Sequence, residues 1–149
     1  MESLHIFLWG SGMAMEHLWE NTYFETLGYF SVVIFCGVIF LAVFELLTKY
    51  RNWNEIKNGN LAVAMATGGK IFGIANIFRF SIRTGEPLLT TITQGAFGFL
   101  LLLVGYFIFE FLTPSFNIDD EIAKGNQAVG LIAMIISIGL SYVIGTSLY

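Results

Sequence analysis

The chain has 149 residues, of which 56% are apolar and only 12% are charged, and its formal net charge is −4. The charged share is about half of the roughly 25% that is usual in soluble domains. The negative balance gives no basic patch, so nucleic acid is excluded as an expected partner. The composition therefore predicts an integral membrane protein of one domain, with the lipid bilayer as its first partner.

The amino-terminal segment, residues 1–26, mixes apolar and polar residues and contains Trp9 and Trp19. Indole rings are enriched at membrane–water interfaces, so we expect an interfacial segment here. The first span runs from Leu27 to Leu47, a length that crosses a hydrocarbon core of about 30 Å. Its only charge, Glu45, stands within one helical turn of its end.

Three further apolar stretches complete the predicted membrane region. The second span is the least lipid-like, because Lys70 lies near its middle and Gly69 and Gly73 form a face that permits close helix packing. The sequence predicts an all-α protein with four transmembrane helices. After the first span, the other three run from Leu61 to Ile82, from Leu88 to Leu112, and from Asn126 to the carboxy end.

One segment of the chain occurs twice, and a long apolar stretch follows each copy. Residues 55–63 read E-I-K-N-G-N-L-A-V, and residues 121–129 read E-I-A-K-G-N-Q-A-V. Self-similarity at a fixed spacing indicates a repeated structural unit. We therefore predict two parallel copies of a two-helix unit, residues 27–83 and 88–149, related by an axis along the membrane normal.

The paired E-I-x-x-G-N-x-A-V motifs resemble those of the bacterial YjfL family, a family of small four-helix inner-membrane proteins of unknown function with the same tandem repeat. The resemblance covers about residues 28–149. It implies a location in the bacterial inner membrane and neighbours in envelope-stress and membrane-maintenance gene clusters. It implies no reaction.

Basic residues in short loops predict the orientation of the spans, because cytoplasmic loops carry an excess of Lys and Arg. No Lys or Arg precedes Lys49, so the amino-terminal segment contains no basic residue of this kind. Residues 52–58 and 115–125 are therefore predicted to be cytoplasmic connectors, and both termini periplasmic or extracellular. The basic residues in and beside these connectors are Lys49, Arg51, Lys57 and Lys124.

Lys70, Glu45 and Glu110 form a candidate intramembrane polar site. A cation near the bilayer centre costs about 2.5–3.5 kcal/mol on insertion scales, so Lys70 should face protein or water. One interpretation places Lys70 in a pore or pocket, paired across the helices with Glu45 or Glu110. The alternatives are a structural pair and a side chain that snorkels to the interface.

The two glutamates also allow a functional and a structural interpretation. Glu45 and Glu110 stand at corresponding places near the ends of spans one and three. In an oligomer they would ring an entrance that selects cations. The alternative is that they anchor the connectors.

Four residues of the repeated segment form a candidate site at the cytoplasmic face. Glu55, Asn60, Glu121 and Asn126 would bind a partner or an ion there. The alternative is helix capping, because an Asn side chain accepts hydrogen bonds from backbone N–H groups wherever a helix begins.

The sequence predicts no enzyme, no metal site and no cofactor. It contains no cluster of His, Cys and carboxylate residues at metal spacing, no nucleophile elbow and no glycine-rich phosphate loop. His5 and His17 stand apart from such spacing, and Cys36, inside an apolar stretch, is expected to be a buried, inert thiol.

Two functions fit this pattern. The first is a channel-like or transporter-like homo-oligomer in which Lys70, Glu45 and Glu110 face a polar cavity. The small-residue faces of spans two and four would recruit partner helices. The second is a non-conducting scaffold whose connectors recruit a cytoplasmic protein, which the resemblance implies is involved in envelope stress or membrane maintenance.

Overall fold

The computed structural model describes residues 22–115 and 117–148. The predicted interfacial segment therefore lies outside the described residues, except for residues 22–26. These five residues belong to the first long helix, which thus extends further towards the amino terminus than the apolar stretch alone indicated.

All regular secondary structure in the described residues is helical. The four long helices α1, α3, α4 and α6 are long and apolar enough to cross a membrane, which confirms the predicted all-α architecture with four transmembrane helices. The short helices α2 and α5 lie in the two predicted connectors. The six helices are α1 (Thr22–Leu47), α2 (Asn52–Lys57), α3 (Leu61–Arg83), α4 (Leu88–Phe111), α5 (Ile118–Ala123) and α6 (Gln127–Leu148).

The chain divides into two compact units, residues 1–32 and residues 33–149. The second unit contains the second part of α1 and all of α2 to α6. Its central element is α3, the most deeply buried of the four spans.

Helices α3 and α6 pack with their backbones in contact. A Cβ atom added to Gly69 would lie 2.6 Å from the Cα atom of Met134, and one added to Gly130 would lie 2.5 Å from the carbonyl oxygen of Ala62. Glycine at both places permits this approach, because each lacks the atom that would collide. The small-residue face of span two, formed by Gly69 and Gly73, thus packs against α6 within the chain. A face that is used within the chain gives no support to the predicted homo-oligomer.

The connectors end in the same local structure. Gly59 (φ 84°) and Gly125 (φ 86°) follow α2 and α5 in the left-handed region, which glycine adopts without a Cβ clash. Each glycine leads into an Asn at the start of the next long helix. The Asn60 amide nitrogen donates hydrogen bonds to the carbonyl oxygens of Ile122 (3.2 Å) and Ala123 (3.0 Å) in α5. Both connectors therefore lie at the same end of the spans.

Candidate functional site

Lys70 lies in the middle of an aromatic cage. Its side chain is only 1% exposed. The Nζ atom lies 5.0 Å from the ring centroid of Phe44, 5.2 Å from that of Tyr50 and 5.3 Å from that of Tyr106. An ammonium group within about 6 Å of a ring centroid is attracted by the ring quadrupole, more strongly when desolvated. Three rings from α1, the loop after it and α4 thus stabilise one buried cation.

A polar network extends from the cage to the connector helix α5. The Lys70 Nζ atom donates to the hydroxyl oxygen of Tyr50 over 3.2 Å. In the same cage, the Tyr106 hydroxyl donates to Oδ1 of Asp119. The second oxygen of Asp119 accepts the backbone N–H of Lys49 at 3.0 Å. Burial, and then the negative charge of Asp119, raise the pKa of Tyr50 above its usual range.

The predicted pairing of Lys70 with Glu45 or Glu110 is not found. Among the described residues the ion pairs join Lys49 to Asp120 (3.6 Å) and Lys124 to Glu121 (3.0 Å). Lys70 is instead influenced at longer range by the charges of Asp119 and Glu45. The physical reason is the cost of desolvation: burying a complete ion pair removes two ions from water, whereas rings and a hydroxyl group coordinate the ammonium without a second buried charge in contact.

The two glutamates have different surroundings. Oε1 of Glu110 accepts a hydrogen bond from the side chain of Asn117 at 2.9 Å, so Glu110 anchors the second connector. Glu45 lines a cavity of about 160 Å³. Asn52, Thr67 and Trp53 contribute the other polar or aromatic groups of that lining. Of the three predicted residues, the structure thus brings Lys70 and Glu45 into electrostatic range and engages Glu110 with the connector.

The four candidate residues of the two connectors form two hydrogen-bonded pairs. The Asn60 amide donates to Oε2 of Glu55 (3.3 Å), and the Asn126 amide donates to Oε2 of Glu121 (2.9 Å). The side-chain oxygen of Asn60 accepts the backbone N–H of Val63 at 3.2 Å. The side-chain oxygen of Asn126 accepts the backbone N–H of Val129 at 3.4 Å. The hydrogen bond from Asn126, and then Lys124, lower the pKa of Glu121. This is the helix-capping arrangement, the alternative to a binding site for these four residues.

The residues that surround Lys70 were not predicted from the sequence. Phe44 belongs to the apolar first span and gives no signal there. Tyr106 does give one, because a phenol in the middle of an apolar span needs a hydrogen-bond partner. Asp119, in the second connector, was not predicted to belong to the site, although it is 2% exposed. A buried carboxylate of this kind is rarely found without a partner.

A family model described as Domain of Unknown Function (DUF350) matches residues 17–148. The chain belongs to this family. It is also 56% identical over 134 residues to a UPF0719 transmembrane protein, YshE, of Bacillus subtilis (strain 168), and the match covers 90% of this chain and 100% of that relative. No solved structure matches the chain.

The DUF350 match includes all four spans and both connectors. It agrees with the expectation of a small membrane family without an assigned function, and the relative's printed name supports a transmembrane protein. The protein is thus a multi-pass membrane protein. The YjfL name given to the resemblance is not confirmed by either comparison.

Proposed function

We propose that this DUF350 member is a permeation protein of the bacterial inner membrane, which moves protons or small cations under the control of Lys70. The observation that carries the proposal is a lysine within a span, 1% exposed, with no ion pair in the described part of the chain. Ionisable residues inside membranes are costly and typically mark ion pathways or proton relays. If this position only had to be filled, Leu or Met would pack there without the free-energy cost of burying a charge.

The network around Lys70 supports a role in proton handling. In the proposed exchange, the Lys70 ammonium gives a proton to the Tyr50 hydroxyl, Tyr50 passes its own hydroxyl proton to Tyr106, and Tyr106 passes its proton to Asp119. The first and last transfers follow hydrogen bonds of the structure, and the middle transfer is part of the proposal. The ammonium and the carboxylate become an amine and a carboxylic acid, and the net charge of the site stays constant. A charge-neutral exchange suits a low-dielectric interior, where an unpaired ion is costly.

The Glu45 cavity supports the same function. It opens beside Asn52 and Thr67 at the connector end of the spans, and the negative charge of Glu45 acts on Lys70. A cation that enters this cavity would be attracted by Glu45 and repelled by the protonated form of Lys70. The protonation state of Lys70 thus controls the affinity of the cavity for a cation.

Flux into proteoliposomes tests the proposal. Vesicles loaded with a pH-sensitive dye receive an inward driving force from a potassium gradient and valinomycin, and internal acidification is measured. We expect the wild-type protein to acidify vesicles faster than empty vesicles, and Lys70→Met to reduce the rate to that of empty vesicles. Lys57→Met is the matched control, because Lys57 is exposed on α2, and should keep the wild-type rate.

The non-conducting scaffold is the outcome favoured if wild-type and empty vesicles acidify at the same rate. The described contacts give that alternative less support. Its proposed docking residues Glu55, Asn60, Glu121 and Asn126 satisfy one another's hydrogen bonds. A partner would have to compete with these bonds.

A further inference from the structure

We infer that the groove between α1 and α3 binds a phospholipid whose headgroup carries a primary ammonium group. The headgroup occupies the cavity at Glu45, and an acyl chain follows the apolar groove towards the middle of the spans. The inference does not rest on the permeation proposal, although it concerns the same cavity: a headgroup ammonium at Glu45 would occupy the place of an entering cation.

The polar end of the groove has an acceptor and a donor without partners. Glu45 is half-buried in the cavity lining, and in the described part of the chain its carboxylate accepts no hydrogen bond and forms no ion pair. Asn52 is only 2% exposed; its oxygen accepts from Thr67 at 3.2 Å, and its NH₂ group has no acceptor among the described residues. Buried donors normally have a partner. An ammonium group would satisfy Glu45, and a phosphate or ester oxygen would satisfy Asn52.

The apolar end is a second cavity of about 160 Å³, lined by Gly37 of α1 and by Ile71 and Ala75 of α3, among other apolar residues. The two cavities share Val38 and Leu41. They therefore adjoin each other along α1, with the apolar cavity along the spans and the polar cavity at the connector end. An amphipathic ligand matches this order of surfaces.

A membrane lipid fits the groove better than a soluble amine. Val38, at the junction of the two cavities, is 62% exposed on a span, and this surface faces acyl chains in a bilayer. Trp53 lines the polar end, and Trp rings mark the headgroup level of a membrane. The cavity lining contains one carboxylate and no basic residue, so charge complementarity favours an ammonium headgroup over an anionic one.

Gly37 provides a specific test of the acyl-chain site. A Cβ atom at Gly37 would meet no atom within 4 Å, and the same is true of Gly139 on α6. Gly37→Leu therefore places a side chain in the groove without a backbone collision. Gly139→Leu adds the same side chain at a position outside the groove and is the matched control.

Lipid retention by the full chain is measured by native mass spectrometry. The detergent-purified protein receives equal amounts of phosphatidylethanolamine and phosphatidylglycerol with identical acyl chains. We expect an approximately tenfold preference for phosphatidylethanolamine, the factor that corresponds to about 1.4 kcal/mol. Glu45→Gln should remove the preference, Gly37→Leu should reduce retention of both lipids, and Gly139→Leu should match the wild type.

Three results would overturn the inference. The first is equal retention of the two lipids by the wild-type protein. The second is equal retention by Gly37→Leu and Gly139→Leu. The third is displacement of phosphatidylethanolamine by free ethanolamine at the same concentration, because a soluble amine would then be the preferred occupant. None of these results depends on flux, so the lipid site and the permeation proposal fail separately.

Discussion

Gly69 of α3 lies against the backbone of Met134 in α6, so closely that a Cβ atom on Gly69 would be 2.6 Å from the Cα atom of Met134. Its neighbour Gly68 points into open space, where an added Cβ would meet no atom within 4 Å. Two adjacent glycines thus differ completely in what they permit. Gly69 allows α3 and α6 to touch, whereas a Cβ atom at Gly68 would collide with nothing.

Gly69→Ala should destabilise the fold by about 1–3 kcal/mol, the usual cost of overpacking, because the backbone of α6 has to move. Gly68→Ala should be neutral or stabilising, since Ala is the better helix former by about 1 kcal/mol. The unfolding midpoint of each variant in the same detergent measures the difference. Equal midpoints for the two variants would contradict the proposed close contact of α3 with α6.

Tyr50→Phe should destabilise the protein by about 1–3 kcal/mol, because it leaves the Lys70 ammonium without its hydrogen-bond acceptor in a buried site. The ring of Phe would keep the cation–π contact, so the loss isolates the hydroxyl group. The same measurement in Tyr142→Phe is the control, since Tyr142 is 44% exposed. If both variants unfold at the wild-type midpoint, the Tyr50 hydroxyl does not stabilise Lys70.

Local sequence patterns predicted the helices and the burial of Lys70. The features that they did not predict depend on tertiary contacts. The first residues of α3 and α6 could be predicted because an Asn cap and the N–H group that it accepts are three residues apart. The burial of Lys70 also followed from the cost of a cation in a span. Its partners could not be found in this way, because Phe44 and Tyr106 come from two other helices. No periodicity in the sequence places those rings around one atom.

The two matched asparagines should differ in their contribution to stability. Asn60→Ala removes a helix cap, a bond to Glu55 and two bonds to α5, so we expect a loss of about 2–3 kcal/mol. Asn126→Ala removes a cap and a bond to Glu121 and should cost about 1 kcal/mol. Unfolding midpoints measured side by side test the order. A larger loss for Asn126→Ala would show that the bonds to α5 contribute nothing.

Glu121 should titrate below the usual carboxyl range, because the hydrogen bond from Asn126, and then Lys124, favour its charged form. A carboxyl whose pKa is lower in the folded state stabilises the fold above its unfolded pKa of about 4.3, and this contribution is lost as the pH falls through the folded pKa. We expect Asn126→Ala to raise the pKa of Glu121 in an NMR titration of its side-chain carboxyl carbon. Lys57→Met is the control and should leave that pKa unchanged; an unchanged value in Asn126→Ala would contradict the assigned cause.

Labelling of single cysteines should place both connectors on the cytoplasmic side, as the distribution of basic residues predicts. In a Cys36→Ala background, Asn54→Cys and Lys124→Cys should react with a membrane-impermeant maleimide only after the cells are permeabilised. Thr84→Cys, in the turn between α3 and α4, should react in intact cells. Because Asn60 bonds to Ile122 and Ala123, the two connectors cannot be separated by a bilayer. Reaction of Asn54→Cys and Lys124→Cys from opposite faces would therefore contradict the packing of the connectors, whereas reaction of both in intact cells would reverse only the orientation.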